Sequence, residues 1–190
     1  MPPPIGPGSR GKPATRRTLL ARRDALTDRE RADKSVEICA RAAALVTDRC
    51  AAGSIVAIYA AKGTEVATAA LDAALRGTFE LVYPRVIDGA RALAFHPAQL
   101  GELVASRYGL REPAPASPEV AISDIAAFVV PGLAFDRSGH RVGWGKGHYD
   151  ATFASARAAT LKIGLAFACQ VVDQVPREPH DIPLDVVVTE

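Results

Sequence analysis

The chain reads as one α/β domain, a three-layer sandwich whose largely parallel sheet carries helices on both faces. Three observations lead there. Strand-like and helix-like segments alternate along the sequence, the order that a parallel sheet with crossover connections requires. The strand segments are continuous apolar runs rather than half-polar alternations, as in sheets covered on both sides. The chain has 190 residues, 48% of them apolar, enough for one substantial core.

Residues 1–11 are rich in Pro and Gly and lack the apolar centre of a secretory signal, so they are expected to form a disordered lead-in to a single domain over 12–190. Pro13 suits the first turn of a helix running to about Leu26. Thr27-Asp28-Arg29-Glu30 is a capping-box pattern and starts a second helix, on which Ile38 and Leu45 lie seven apart. Gly53 closes that region. Residues 55–60 form the first buried strand and 65–75 a helix, stopped by Gly77. Residues 79–83 are a strand, Asp88-Gly89 a turn, and 91–95 a short partner strand. Pro113, Pro115 and Pro118 make 112–118 a loop. The run 126–130 is the central strand, 148–159 a helix, and 161–167 and 185–189 the last two strands. Ligands of such sheets sit beyond the C-terminal strand ends, an edge marked here by Tyr59, Pro84 and Pro131.

The bulk numbers exclude several classes. A net charge of +2 with both signs mixed gives no electrostatic case for nucleic acid or an anionic membrane. No apolar run approaches the ~18 residues of a membrane span. Cys39, Cys50 and Cys169 are odd in number and lack a C-x-x-C spacing, so neither a disulfide framework nor a zinc site is expected. Arg10, Lys12, Arg16, Arg17, Arg22 and Arg23, with Asp24, Asp28 and Glu30 nearby, read as a solvated helical face. His96, His140 and His180 show no metal-ligand spacing and read as surface or turn residues. A soluble, cytoplasmic monomer is expected.

The most informative segment runs from Val129 to Asp150. A buried strand leads to three alternating glycines, Gly143, Gly145 and Gly147, and then to a helix. Arg141 and Lys146 lie within it and Asp150 follows. Glycines let backbone N–H groups approach an anion, and a carboxylate beside a phosphate is what Mg²⁺ requires. The loop is neither a Walker A motif, because Gly147 follows Lys146, nor a dinucleotide fingerprint, because its spacing is wrong and it lies late in the chain. Glycine spacing alone suits a tight turn as well as a phosphate site.

The segment closely resembles the signature of the 5-formyltetrahydrofolate cyclo-ligase family, Pro-Gly-x-x-Phe-Asp followed by Gly-x-Arg-x-Gly-x-Gly-x-Gly-Tyr-Tyr-Asp. The matching residues are Pro131, Gly132, Phe135, Asp136, Gly139, Arg141, Gly143, Gly145, Gly147, Tyr149 and Asp150. His148 stands where the family commonly has tyrosine. Tyr59, Glu65 and Thr68, the Pro84-Arg85 strand end, the segment 108–113, and a C-terminal patch from Phe167 to Asp185 also resemble the family. The likeness spans about residues 12–190.

The resemblance implies a MgATP-dependent closure of 5-formyltetrahydrofolate to 5,10-methenyltetrahydrofolate, through phosphorylation of the formyl oxygen and attack by N10. It assigns Lys12, Arg16, Arg141, Gly143, Gly145, Lys146, Gly147 and Tyr149 to ATP, with Arg141 and Lys146 acting on the transferred phosphoryl group. It assigns Ala60, Glu65, Trp144 and His148 to the folate, and Asp150 and Asp181 to Mg²⁺. Arg85 and Arg107 are possible partners of a glutamate tail by charge. The alternative is a catalytically divergent paralogue that binds nucleotide or folate.

Overall fold

A computed structural model of the chain describes residues 11–106 and 109–190. The expected lead-in, apart from Gly11, lies outside the described residues, as do Arg107 and Tyr108. Two helices open the fold, α1 (Gly11–Asp24) and α2 (Asp28–Arg49). Gly11 is thus helical, and Pro13 sits in the first turn. Between the helices the capping box forms as expected: Glu30 N–H donates to Thr27 Oγ1 at 3.2 Å, and Thr27 N–H donates to Glu30 at 2.8 Å.

The chain continues as β1 (Ile55–Ala57), α3 (Ala69–Leu75), β2 (Glu80–Arg85), β3 (Ala94–Pro97), β4 (Val104–Ala105), β5 (Arg111–Glu112), β6 (Ile125–Val130), β7 (Ala134–Asp136), β8 (Arg141–Val142), α4 (His148–Phe153), β9 (Leu161–Leu165), β10 (Val171–Val172) and β11 (Val186–Val188). The main sheet has the order β11-β9-β6-β1-β2-β3. Every pairing in it is parallel except β2 with β3.

Alternate residues of the central strands enter different layers. Ala127 and Val129 of β6 face the cluster built with Ile38, Ala42 and Val46 of α2 and Leu71 and Leu75 of α3. Phe128 and Val130 face the other cluster, with Phe95, Phe135, Phe153 and Leu184. There Phe128 meets Phe95 and Phe153 edge-on, at 5.3 and 5.5 Å between ring centres. A strand buried on both sides needs no polar residue in its alternation, hence the continuous apolar runs. The second face is covered by α4 and by a small sheet of order β10-β7-β8, rather than by helices alone. α1 lies on that small sheet through Leu19, against Ala134 and Val142.

Two helices are shorter than their sequence patterns suggest. The helix expected over 65–75 begins only at Ala69. Thr64, the apparent cap, is hydrogen-bonded to α1, and the Thr68 hydroxyl donates to Tyr59 O at 2.7 Å, so 62–68 forms a turn bonded to its surroundings. The helix expected over 148–159 ends at Phe153, where Ser155 and Ala156 N–H groups reach back three residues and tighten the last turn. His96 is buried at 6% exposure and bonds Ser117 O and Pro118 O through Nδ1, so it is neither a surface nor a turn residue. No helix among the described residues is long and apolar enough to cross a membrane.

Candidate active site

Tyr59, Pro84 and Pro131 border one cleft of about 1410 Å³ at the C-terminal strand ends. All the residues assigned to ATP, folate and Mg²⁺ line it, namely Lys12, Arg16, Ala60, Glu65, Arg141, Gly143, Trp144, Gly145, Lys146, Gly147, His148, Tyr149, Asp150 and Asp181, whereas Arg85 does not and donates instead to Pro113 O at 3.2 Å. A parallel sheet delivers successive loops to the same edge, which is why segments distant in sequence meet there.

One end is built from α1, the glycine loop and the segment 178–182. Arg16 Nε donates to Gly143 O at 2.8 Å. Gly145 has φ +90°, and a Cβ there would lie 2.8 Å from the Arg16 guanidinium, so glycine is required both for the turn and for the arginine's approach. Gly147 has φ +69° and caps α4. With six residues, α4 is too short for a macrodipole to matter much, and the anion-binding capacity of this end rests on N–H groups and cations. The N–H groups of Gly145 and Lys146 have no acceptor among the described residues, and the exposed Lys146 ammonium has no partner there either.

Arg141 and Lys12 are held differently. Arg141, 7% exposed at its side chain, donates to Asp150 Oδ1 at 2.8 Å and to Ile182 O at 2.8 Å, and lies 4.9 Å from the Phe153 ring centre. Burial pulls its pKa below the ordinary arginine value while Asp150 opposes the shift. Asp150 Oδ1 also accepts from the Ile182 N–H at 3.2 Å. Lys12 Nζ donates to both oxygens of Asp181, at 2.9 and 2.8 Å, and to Glu178 at 2.8 Å. Burial works to lower the lysine's pKa, but these hydrogen bonds and charges outweigh it and hold the value above the usual one. Asp181 is the mirror case: burial raises it, and the bonds from Lys12 and the Glu178 N–H bring it below the usual carboxylate range. His180 stands beside Glu178 and Asp181, their ligand atoms within 4.8 Å of one another, a grouping its sequence spacing does not suggest.

The other end is the 59–68 turn, faced by Trp144, His148 and Tyr149. Glu65 accepts the Lys62 N–H at 3.0 Å and the Trp144 indole N–H. Burial raises its pKa against the influence of these bonds and of Arg23. Tyr59, 3% exposed, donates its hydroxyl to Val66 O at 2.9 Å, and burial lifts its pKa far above the ordinary phenol value. Tyr149 is shifted upward for the same reason. His148 Nδ1 lies 2.7 Å from Arg91 O, a carbonyl that can only accept, so Nδ1 is the donor in this contact.

Two residues escaped the sequence reading. Arg23, counted there with a solvated basic face, is 2% exposed and bonds Thr64. Its position one heptad after Arg16 placed it on the inward stripe, a signal hidden by its charge. Glu178, the partner of Lys12, carries no local motif.

The family model described as the 5-formyltetrahydrofolate cyclo-ligase family matches residues 8–190. A 5-formyltetrahydrofolate cyclo-ligase of Mycolicibacterium smegmatis is 35% identical over 144 residues, 72% of this chain and 74% of that protein. The NMR structure of Aquifex aeolicus 5,10-methenyltetrahydrofolate synthetase superposes with a TM-score of 0.79 at 29% identity, covering 94% of this chain and 89% of that one. The 5,10-methenyltetrahydrofolate synthetase of Mycoplasma pneumoniae shares the fold, with a TM-score of 0.76 at 24% identity over 94% and 98% of the two chains. A match over nearly the whole sequence, on a fold whose cleft gathers the matching motifs, makes this chain a member of the 5-formyltetrahydrofolate cyclo-ligase family.

Proposed function

We propose that the protein uses ATP to close 5-formyltetrahydrofolate to 5,10-methenyltetrahydrofolate, releasing ADP and phosphate. The observation that carries this reading is the division of one cleft into two chemistries. Cations and unclaimed N–H groups gather at the glycine loop, and a fixed carboxylate among flat rings stands at the 59–68 turn. The first suits a triphosphate and the second a pterin with N–H donors.

The formyl oxygen is a poor leaving group until it is phosphorylated. In the first step it attacks the γ-phosphorus, and the bond to the bridging oxygen breaks with its electron pair leaving on ADP. In the second, N10 attacks the formyl carbon and loses its proton, and the C–O bond breaks to release phosphate and leave the methenyl bridge. Phosphoryl transfer asks the protein chiefly for positioning and charge. Lys146, with no partner among the described residues to give up, supplies charge to the moving phosphoryl group. Arg141, fixed by Asp150 and Ile182 O, supplies a charge that does not move. Arg16 keeps Gly143 and Gly145 in place beneath the phosphates, with Gly147 and Tyr149 completing the loop. Glu65 accepts from the pterin N–H groups, and Trp144, His148 and Ala60 shape the ring's berth.

The donor set fits Mg²⁺ in part. Among the described residues Asp150 engages only Oδ1, so Oδ2 can serve as one carboxylate ligand, which with phosphate oxygens and water would meet that ion's preference. Asp181 gives both oxygens to Lys12 and joins only when Lys12 turns to a phosphate. When bound, Mg²⁺ neutralises charge on the phosphate oxygens.

The test is a spectrophotometric assay of the purified protein for the methenyl product. Product that forms only with 5-formyltetrahydrofolate, ATP and Mg²⁺ together is expected. Absence of product from a protein that still binds nucleotide or folate would overturn the reading in favour of a divergent binding paralogue.

A further inference from the structure

Arg23 lies in the last turn of α1 and is 2% exposed. A guanidinium is costly to bury unless its donors are matched, and an apolar side chain would fill the same volume at lower cost. The matching here is incomplete. Nε donates to Thr64 Oγ1 at 3.0 Å, while Nη1 is buried with no acceptor among the described residues. The Thr64 hydroxyl donates to Asp24, so consecutive residues of α1 hold it from two sides. The next residue is Glu65, whose carboxyl is close enough to feel the Arg23 charge.

We propose that Arg23 is a positioning residue for the folate substrate: through Thr64 it fixes the turn that carries Glu65, and its buried charge keeps that carboxylate an ionised acceptor for the pterin N–H groups. The proposal rests on the assignment of Glu65 to the folate made above. Among the described residues the other titratable groups facing Glu65 are Lys62, from its own turn, Tyr59, just after β1, and Tyr149, from α4. Burial keeps both phenols protonated and uncharged near neutrality, and Tyr59 directs its hydroxyl to Val66 O. Lys62 is solvent-exposed, where its charge is screened, so Arg23 is the cation whose influence water weakens least. Loss of that charge leaves Glu65 to take up a proton at higher pH.

Trp144 is the single tryptophan of the chain, and its indole bonds the Glu65 carboxyl. A pH titration of tryptophan fluorescence on the whole protein therefore reads Glu65 without substrate. A transition is expected in the wild type and is expected to vanish in Glu65→Gln. In Arg23→Gln its midpoint should move up by about one pH unit, and in Arg23→Lys it should stay near the wild-type value. The KM for 5-formyltetrahydrofolate should rise about tenfold in Arg23→Gln on the acid side of the transition, one pKa unit being a factor of ten, with the KM for ATP unchanged. Should Arg23→Gln not fold, Thr64→Val cuts the link while keeping the charge; it should raise the folate KM and leave the midpoint in place. An unmoved midpoint in Arg23→Gln, an equal rise in both KM values, or an unchanged folate KM in Thr64→Val overturns the proposal. A protein inactive toward 5-formyltetrahydrofolate would sink the function assignment, while the fluorescence midpoints would still decide whether Arg23 governs Glu65.

Discussion

The glycine loop and the 59–68 turn are constructed in opposite ways. At the glycine loop, Lys146 is exposed and partnerless among the described residues, and two successive odd-numbered glycines hold positive φ. At the 59–68 turn, almost every polar group is already engaged: Tyr59 with Val66, Thr68 with Tyr59, Thr64 with Arg23, and Glu65 with the Lys62 N–H. The difference follows from what each end is proposed to receive. A triphosphate is flexible and carries enough charge to order loose donors around itself. A ring that must be told from similar rings by a few N–H groups needs acceptors fixed before it arrives, because ordering them on binding would subtract from affinity.

The contrast can be broken by single substitutions. The largest effect is expected for Lys146→Ala, which should lower kcat/KM by about 10²–10³-fold, as for loss of one charge-stabilising donor. The same variant should melt within about 0.5 kcal/mol of the wild type, since an exposed side chain without a partner supports nothing else. Steady-state kinetics beside a thermal melt would check both, and parallel losses of activity and stability would erase the distinction between the ends. Tyr59→Phe is the converse. It leaves Val66 O without its donor in a buried place, so about 1–2 kcal/mol should be lost in urea denaturation, with the KM for ATP unaffected.

The smallest effect concerns pH. Asp181 titrates below its ordinary value of 3.8 in the folded protein, so its pairing with Lys12 contributes stability above that value. The contribution is lost as pH falls from there through the lower folded value, and it should amount to under about 1 kcal/mol. Asp181→Asn should flatten that acid limb in melts taken across the range; an unchanged limb would show that the pair contributes nothing to stability.

The apolar strands were legible because burial on both faces leaves a run of Val, Ile, Leu and Ala that few other structures use, and Thr27 to Glu30 because a capping box is written in four residues. The cleft was legible through its motifs, most of which follow strand ends, with Lys12 and Arg16 brought to the same edge by α1. The β10-β7-β8 sheet was not, since strands of two or three residues offer no period to detect. The start of α3 was misplaced because Thr64 has the chemistry of a cap and uses it on another helix. Arg23 was hidden by the same logic: composition places arginines outside, and only the tertiary contact with Thr64 explains one inside. Whether Lys12 would face a phosphate or a carboxylate could not be read either, because Glu178 and Asp181 lie far along the chain.

That last pairing has a consequence for biogenesis. Lys12 and Asp181 are separated by 169 positions, so α1 makes this ion pair with a segment far along the sequence. A ribosome releasing the chain in order can lay down β1, β2 and β6 while the catalytic charges are still apart. The charged end of the cleft is therefore assembled only when α1 and residues 178–182 have met, and the edge strand β11, which follows them, joins the sheet no earlier than that segment is available.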